Sequence, residues 1–455
     1  MFEFIKRIAF KLGFDKAILF TSSTSILGAF GSVISVILVV KCLTGIEQGF
    51  YYTFGSIVAI QIFFELGLNG IITQYVAHEA SNLIWVNKNV LSGESKYKSR
   101  LSSLLHFSVK WYLFFASLLL IALMIIGFVF FRRYDTTGGM VSWLIPWLLL
   151  SIGTGANLIV SPVIAFIQGL GKVKEIAKIQ LVLLFFRLAI IWGGLICGAK
   201  LYVMGISSLV AAIISALIIA IVYKKLLVSI WKTEVVEKVL YSKEIFPYQW
   251  KIALSWISGY FIFQLFNPVL FATEGAVVAG QMGMTLAALN GIQSLSIAWI
   301  TTKVPLFSGL IAQKKYTTLD NIFNKTLKQS ALINFCALCF LMLIIFLIRY
   351  FNFEIGGKLF GNRFLNYLPL FLMMVPIFLN QIITAWATYL RCHKKEPFLI
   401  NSIVGGILCA LSTILLGKYF GVIGVTLGYC LITILIFPWG YYIFKIKKNE
   451  WHVVS

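Results

Sequence analysis

The run AILFTSSTSILGAFGSVISVILVV at Ala17–Val40 contains 24 consecutive residues without a charge. About 20 apolar residues are enough to cross the hydrocarbon core of a bilayer, so this run predicts a membrane-spanning helix. It is too long for the core of a signal peptide, and no A-x-A-like cleavage site follows it. Ahead of it, four basic side chains alternate with apolar residues at helical spacing. This pattern predicts a basic amphipathic segment on the membrane surface over residues 1–16.

The composition of the whole chain agrees with that first run. Of its 455 residues, 60% are hydrophobic and only 12% are charged. Soluble proteins are roughly half apolar and a quarter charged, so the composition excludes soluble, fibrous and disordered classes. It predicts an all-α polytopic membrane protein.

Apolar runs recur along the chain with clear breaks between them, and they predict about 12 transmembrane helices. Glu65 makes the second run the weakest, and Pro305, Pro369 and Pro376 are expected to kink or break the eighth and tenth. The predicted spans are 17–40, 50–72, 108–131, 142–166, 178–198, 201–223, 252–272, 280–306, 329–348, 365–390, 398–416 and 420–444.

The basic residues predict the orientation of these spans. Of the 38 Lys and Arg residues, 27 fall in the two terminal segments and the connections on their side, and eight fall in the opposite connections. Cytoplasmic connections carry an excess of Lys and Arg, so both termini are predicted to be cytoplasmic. Basic loops facing an anionic leaflet explain the net charge of +22 without nucleic acid as a partner.

The chain divides into two halves that resemble each other. Similar strings follow the fourth and tenth spans, AFIQGLGKVKE at 165–175 and ATYLRCHKKE at 387–396, about 220 residues apart. Each half has six spans, so the repeats are parallel and related by a pseudo-two-fold axis along the membrane normal, which is a transporter architecture. The predicted units are a surface segment 1–16, a first bundle 17–228, a linker 229–250, a second bundle 251–444 and a basic tail 445–455.

Metal and nucleophilic chemistry have no support in the sequence. The seven cysteines are scattered, mostly in or beside apolar runs, and the four histidines have no ligand spacing with them. The CxxC at Cys336 and Cys339 lies inside a predicted span and is interpreted as buried apolar packing. The glycine pairs Gly417/Gly421 and Gly424/Gly428 suit close helix packing. The sequence therefore predicts a protein that is not an enzyme and has no metal or other cofactor.

Four local strings resemble the multidrug/oligosaccharidyl-lipid/polysaccharide (MOP) exporter superfamily, and within it the polysaccharide-unit (Wzx-type, O-antigen) flippases. They are LTGIEQGFYYTF at 43–54, FELGL at 64–68, QGLGK at 168–172 and WITTKVPLFSGLIA at 299–312. The resemblance covers the whole chain. It implies two MATE-like six-helix bundles and a bacterial inner-membrane flippase that works by alternating access.

The resemblance also implies a substrate and partners. The substrate would be an undecaprenyl-pyrophosphate-linked oligosaccharide unit for O-antigen lipopolysaccharide or capsule biosynthesis, with membrane lipids and a polysaccharide polymerase as partners. The lipid tail can stay in the bilayer, but pyrophosphate and sugars cannot cross hydrocarbon unaided. The cavity of such a flippase needs buried cations and hydrogen-bonding side chains.

Charges inside predicted spans are the candidate site residues, because a charge at that depth is expensive. Arg187, midway through the fifth span, could bind the pyrophosphate in a two-pronged way. It could equally pair with Glu65 or a backbone carbonyl. Lys303, two residues before Pro305, is interpreted as a second phosphate contact, with a surface-reaching lysine as the alternative.

Glu65 is the carboxylate that lies well inside a predicted span. It could take up a proton and so couple transport to a proton or sodium gradient, or it could pair structurally with Arg187 or Lys303. Uncharged polar residues on facing spans could line the cavity or join helices. They are Gln61, Asn69, Gln264, Asn267, Asn290 and Gln293.

Two other functions compete with this prediction. A MATE-type multidrug or small-molecule exporter would need carboxylates in the first bundle to bind cations, and spans one, three, four, five and six have none. A membrane glycosyltransferase or polymerase would need a large non-cytoplasmic loop, and none exceeds about twenty residues. The lipid II flippase branch has fourteen spans rather than twelve.

Overall fold

The computed structural model of the protein describes residues 16–87, 90–393 and 395–453 and is almost entirely helical. The surface segment predicted at 1–16 lies, apart from Lys16, outside the described residues. The N-terminal half contains α1 (Lys16–Cys42), α2 (Gly45–Val58), α3 (Ile62–Glu65), α4 (Leu68–Ala80), β1 (Leu83–Asn87), β2 (Val90–Gly93), α5 (Ser95–Tyr134), α6 (Leu144–Gly169), α7 (Val173–Ile196), α8 (Tyr202–Ile218) and α9 (Lys224–Trp231).

The C-terminal half has the same general plan. It contains α10 (Phe246–Phe263), α11 (Phe266–Glu274), α12 (Ala276–Thr301), α13 (Val304–Ala312), α14 (Tyr316–Tyr350), β3 (Glu354–Ile355), β4 (Lys358–Leu359), α15 (Tyr367–Arg391) and α16 (Leu399–Val453). The strands form two antiparallel hairpins outside the helices, β1 with β2 and β3 with β4. They were not predicted from the sequence.

The described residues form ten helices that are long and apolar enough to cross a membrane, and the bent pair α2–α4 makes an eleventh span. One of the ten, α16, is two spans, because its backbone leaves helical geometry at Gly421 (φ 55°, ψ −139°). A Cβ on Gly428 would lie 2.0 Å from the Ser412 hydroxyl oxygen, so the two segments of α16 fold back on each other as a hairpin. Twelve crossings follow, and the close helix packing predicted at these glycines is confirmed.

Three of the crossings are broken, and the breaks have different local causes. The second span bends by 40° after α3, where Leu66 and Gly67 both adopt left-handed conformations. The eighth span breaks between α12 and α13, just ahead of Pro305, as predicted. The seventh breaks between α10 and α11, just ahead of Pro268, whose ring clashes with the carbonyl four residues earlier in a regular helix; this break was not predicted. In the tenth span α15 stays helical across Pro376, so the span is not broken there, and the kink expected as the alternative stays a prediction.

Two sides of the bundle are named by connectivity. With twelve crossings, residues 16 and 453 lie on one side, here called the terminal side, and the connections at 43–44 and 351–366 lie on the other, the far side. The tail predicted at 445–455 continues α16 as helix up to Val453. The terminal side corresponds to the predicted cytoplasmic side.

Candidate functional site

The two halves meet on the far side, where α2 and α12 have glycine and alanine at their closest contact. A Cβ on Gly49 of α2 would lie 1.9 Å from the Ala276 carbonyl oxygen, and one on Gly280 of α12 would lie 2.9 Å from the Gly49 nitrogen. Small residues four apart on both helices allow this approach of backbones. Phe50 adds a buried ring contact across the halves, 5.0 Å from Phe271. We call this contact between α2 and α12 the far-side seam.

A loop from the C-terminal half fastens the seam from outside. Arg363 Nη2 donates to the Leu43 carbonyl oxygen at 3.0 Å, and Lys358 Nζ donates to the same oxygen at 3.0 Å. Gln48 Nε2 in turn donates to the Gly280 carbonyl at 2.7 Å. Burial lowers the pKa of Arg363, whereas nearby Glu47 raises it. The carbonyls at the end of α1 are thus capped by cations of the other half, which suits the negative end of a helix dipole.

On the terminal side the same helices separate. Gly283 of α12 packs against Tyr52, whereas Asn290, two turns further on the same face, is exposed. A cavity of about 340 Å³, which we call the lateral cleft, opens between α1 and α12–α13. Hydroxyl and apolar groups line it: Thr21, Ser25, Ile26, Val173, Ser294, Leu295, Ala298, Thr301, Thr302 and Pro305.

At the opposite edge of the interface the two halves stay in contact on the terminal side, as they do on the far side. Phe63 of α3 lies 5.1 Å from the ring of Tyr260 in α10, and a Cβ on Gly67 would meet Ile252. Further out, Tyr75 donates its hydroxyl to the Glu244 carbonyl oxygen. The separation of the halves is therefore one-sided, between α1 and α12–α13.

Inside the N-terminal half lies a second cavity, of about 290 Å³, which we call the N-half cavity. Arg187, near the middle of α7, projects into it beside Gln61. Asn157 Nδ2 crosses from α6 to α8 and donates to the Ser208 carbonyl oxygen at 2.9 Å. The lining residues are Tyr51, Val58, Gln61, Leu150, Thr154, Asn157, Arg187, Ile191, Met204, Ser207 and Ser208.

Arg187 has no counter-charge in this cavity. Across residues 16–87, 90–393 and 395–453, no hydrogen bond or ion pair of its guanidinium is found. Glu65 instead accepts a hydrogen bond from Asn69 Nδ2 at 2.8 Å. The predicted structural pairing of Arg187 with Glu65 is therefore absent from this conformation, and so is a pairing of Glu65 with Lys303. Glu65 lies at the end of α3, directly before the bend at Leu66.

The remaining predicted residues divide between the cavities and the interface. Gln61 lines the N-half cavity, and Asn290 is exposed on the cleft face of α12. Asn267 is a bridge, since its Nδ2 donates to Ser56 Oγ of the other half at 2.9 Å. Gln293 is half-buried on α12, and Gln264 is half-buried at the break after α10. Lys303 is exposed at the break between α12 and α13, next in sequence to Thr302 of the lateral cleft.

Several residues of these sites were not predicted. Asn380 Nδ2 donates to the Tyr429 hydroxyl at 2.9 Å, joining the tenth and twelfth spans. This bond repeats the one from Asn157 to the sixth span, so a comparison of the two halves could have found both asparagines. Arg363 and Lys358 carried no signal, because their partners lie about 320 residues away in sequence.

Comparison with known proteins places the fold among transporters. No family model matches the chain, and no curated protein matches it. An inward-facing multidrug resistance MATE family transporter of the MOP superfamily has a TM-score of 0.69 at 14% identity, covering 96% of this chain and 99% of that one. The lipid II flippase MurJ in an inward closed conformation has a TM-score of 0.52 at 15% identity, covering 96% and 90%.

An outward-facing MATE family transporter of the same superfamily has a TM-score of 0.53 at 13% identity, covering 97% of this chain and 98% of that one. The chain therefore has the MATE-like fold of MOP-superfamily transporters and is a multi-pass membrane protein. This confirms the predicted fold class.

Proposed function

We propose that this chain is a flippase that moves undecaprenyl-pyrophosphate-linked oligosaccharide units across the bacterial inner membrane. In the proposed orientation both termini are cytoplasmic, and the terminal side receives the substrate. The delivered units would supply a polysaccharide polymerase for O-antigen or capsule biosynthesis.

The observation that carries this proposal is the unpaired guanidinium of Arg187 at membrane depth. Charges inside membrane spans are rare and costly; the Arg187 side chain is exposed to the N-half cavity, and the described lining of that cavity contains no carboxylate to pair with it. An anionic substrate group would pair with it, and the planar fork of arginine matches the oxygens of a phosphate. Lys303, next in sequence to Thr302 of the lateral cleft, would supply a second cation on the route of entry.

The position of the lateral cleft suits a lipid-linked substrate. The cleft separates α1 from α12–α13 on one edge only, so a headgroup could enter sideways while its polyprenyl tail stays in the bilayer. Its mixed lining of hydroxyl and apolar groups matches a headgroup that carries both sugars and lipid. A soluble substrate would have no need of such a side opening.

The closed far-side seam supports alternating access. In this conformation α2 and α12 are in backbone contact on the far side, while the cleft is open on the terminal side. Rocking of the halves about the centre would open the seam and close the cleft, releasing the substrate on the far side. We propose that protonation of Glu65 couples this movement to an ion gradient, because its carboxylate sits directly at the bend of the second span.

A multidrug or small-molecule exporter is the alternative, and it is supported by the TM-score of 0.69 to a multidrug resistance transporter. Cationic drugs need a carboxylate in the cavity that receives them. Among the described lining residues of the N-half cavity there is none, and the charge present is positive. The lining therefore favours an anionic substrate.

Binding to the purified protein in nanodiscs tests the proposal. We expect undecaprenyl pyrophosphate to bind much more tightly than undecaprenol, and Arg187→Gln to remove most of that difference. Arg133→Gln, at an exposed arginine on the far side, is the matched control and should leave it unchanged. Equal binding of both lipids together with binding of a cationic dye would favour the exporter.

A further inference from the structure

A cavity of about 230 Å³ in the C-terminal half, which we call the C-half cavity, occupies a place equivalent to the N-half cavity. Both are lined by the last three spans of their half; the second span completes the lining of the N-half cavity, and the seventh completes that of the C-half cavity. A shift of about 220 residues takes Arg187 to Cys409 and Ser207 to Tyr429, and both of these residues line the C-half cavity. Both halves thus contain this cavity, but the buried, uncharged Cys409 stands in the second half where the first half has the cation Arg187.

The C-half cavity has polar groups in a largely apolar lining and carries no free charge. Its lining provides amides and hydroxyls from Asn380, Asn401, Ser255, Thr384, Ser402 and Thr433. Arg391 lies at its terminal-side end, and Glu396 neutralises it through two contacts, at 2.6 and 3.2 Å. No carboxylate belongs to the described lining. An ionic ligand would find no unpaired counter-charge here.

One lining group has an unmet hydrogen-bonding requirement. Asn401 is 5% exposed, and its Nδ2 has no hydrogen-bond partner and almost no accessible surface, so the side-chain amide must rotate before Nδ2 can donate to a ligand in the cavity. A buried donor left unpaired is costly, so an apolar ligand would not relieve it. The rings of Phe263, Phe398 and Tyr429 provide apolar faces in the same cavity. A neutral ligand that accepts hydrogen bonds and also has C–H faces fits this lining. A sugar has both properties.

We propose that the C-half cavity binds the neutral saccharide of the transported lipid, with Asn401 as a hydrogen-bond donor to it. This inference rests on the proposed function and adds a division of labour. The N-terminal half binds the pyrophosphate through Arg187, and the C-terminal half recognises the sugar. Selectivity among saccharide units then depends on the C-half cavity alone.

Two lipids that share a headgroup phosphate test the division. One is bare undecaprenyl pyrophosphate, and the other is the lipid-linked saccharide that accumulates in host cells lacking this protein. The measured quantity is the ratio of their dissociation constants for the full-length chain in nanodiscs. We expect wild type to bind the saccharide-bearing lipid roughly tenfold more tightly, and Asn401→Leu to lower that ratio about threefold to tenfold, the worth of one hydrogen bond.

Matched variants separate sugar recognition from folding and from phosphate binding. Tyr429→Phe, which removes the hydroxyl that accepts from Asn380, should lower the ratio as well. Asn324→Leu, at an exposed asparagine of the same half, should leave it unchanged. Arg187→Gln should weaken both lipids equally and keep the ratio.

The outcomes distinguish the two proposals. A wild-type ratio near one, with binding that still depends on Arg187, overturns the sugar site and leaves the proposed function standing. A ratio unchanged in Asn401→Leu and Tyr429→Phe also overturns it, because the saccharide is then recognised outside the C-half cavity. If neither lipid binds wild type, the proposed function fails and the sugar site fails with it.

Discussion

The guanidinium of Arg363 lies 3.0 Å from the carbonyl oxygen of Leu43, joining a loop of the second half to the residue that follows the first helix. Arg363 is 8% exposed, so this bond is shielded from water. It is made outside the far-side seam and across the two halves, so it must break whenever the far side opens. The conformational equilibrium of the protein therefore depends on it directly.

We expect Arg363→Ala to shift the protein towards a far-side-open state. A hydrogen bond from a charged group is worth about 1.5–3 kcal/mol, so the shift should be roughly tenfold or more. Native cysteines report it, because Cys42 is half-buried beside Leu43 and Cys197 is exposed at the far-side end of α7. Labelling of Cys42 by a membrane-impermeant maleimide should rise relative to Cys197, as measured by peptide mass spectrometry.

Arg133→Ala is the control for this experiment, since Arg133 is exposed on the far side. It should leave the labelling ratio of Cys42 to Cys197 unchanged. An unchanged ratio in Arg363→Ala as well would mean that the bond to Leu43 does not hold the seam closed.

The seam itself makes a steric prediction. A Cβ on Gly280 would lie 2.9 Å from the backbone of Gly49, so Gly280→Leu cannot close α2 against α12 without a shift. We expect this variant to bind lipid but not to complete transport. Gly70→Leu is the matched control, because no atom lies within 4 Å of a Cβ at Gly70. Normal transport by Gly280→Leu would contradict a cycle in which the seam closes fully.

Two substitutions of Arg187 should lower transport to different extents, because one keeps the positive charge and the other removes both the charge and the guanidinium. Arg187→Lys keeps the positive charge but loses the two-pronged contact to phosphate, so transport should fall only partly. Arg187→Ala removes both, and we expect transport to fall at least tenfold below that of Arg187→Lys. Transport is measured as surface polysaccharide at matched membrane levels. Equal effects of the two substitutions would argue against phosphate recognition by the guanidinium fork.

Glu65→Gln tests the proposed coupling. Glutamine keeps an oxygen that can accept the hydrogen bond from Asn69, so the fold at the bend should survive. It cannot take up a proton, so transport should no longer respond to an imposed proton gradient in proteoliposomes. A response equal to that of wild type would exclude Glu65 as the coupling group.

Much of this fold could be predicted because membrane spans are long and apolar. Pro305 predicted the break of the eighth span, the apolar runs predicted the last two spans, and the glycine pairs predicted their close packing. At Pro376 only the expectation of a break is wrong, because helix α15 stays helical across it. The bend after Glu65 depends on left-handed backbone at Leu66, and that residue type gives no sign of it.

The site was harder to predict than the fold. Arg187 could be found because a charge within a span is rare, and its chemistry does not depend on its neighbours. Asn401 looks like any polar residue in a helix until its burial and its unpaired nitrogen are known. Arg363 and Lys358 lie in a short loop. Their contribution to the far-side contact is visible only from the hydrogen bonds that they donate to a carbonyl oxygen of the other half.

Transport in cells that lack their own polysaccharide-unit flippase tests the central claim most directly. Surface polymer and accumulated lipid-linked units are measured together for wild type and Arg187→Ala at equal membrane levels. We predict that wild type restores polymer and clears the accumulated units, and that Arg187→Ala does neither. Failure of wild type to restore polymer, accompanied by export of cationic drugs, would contradict it.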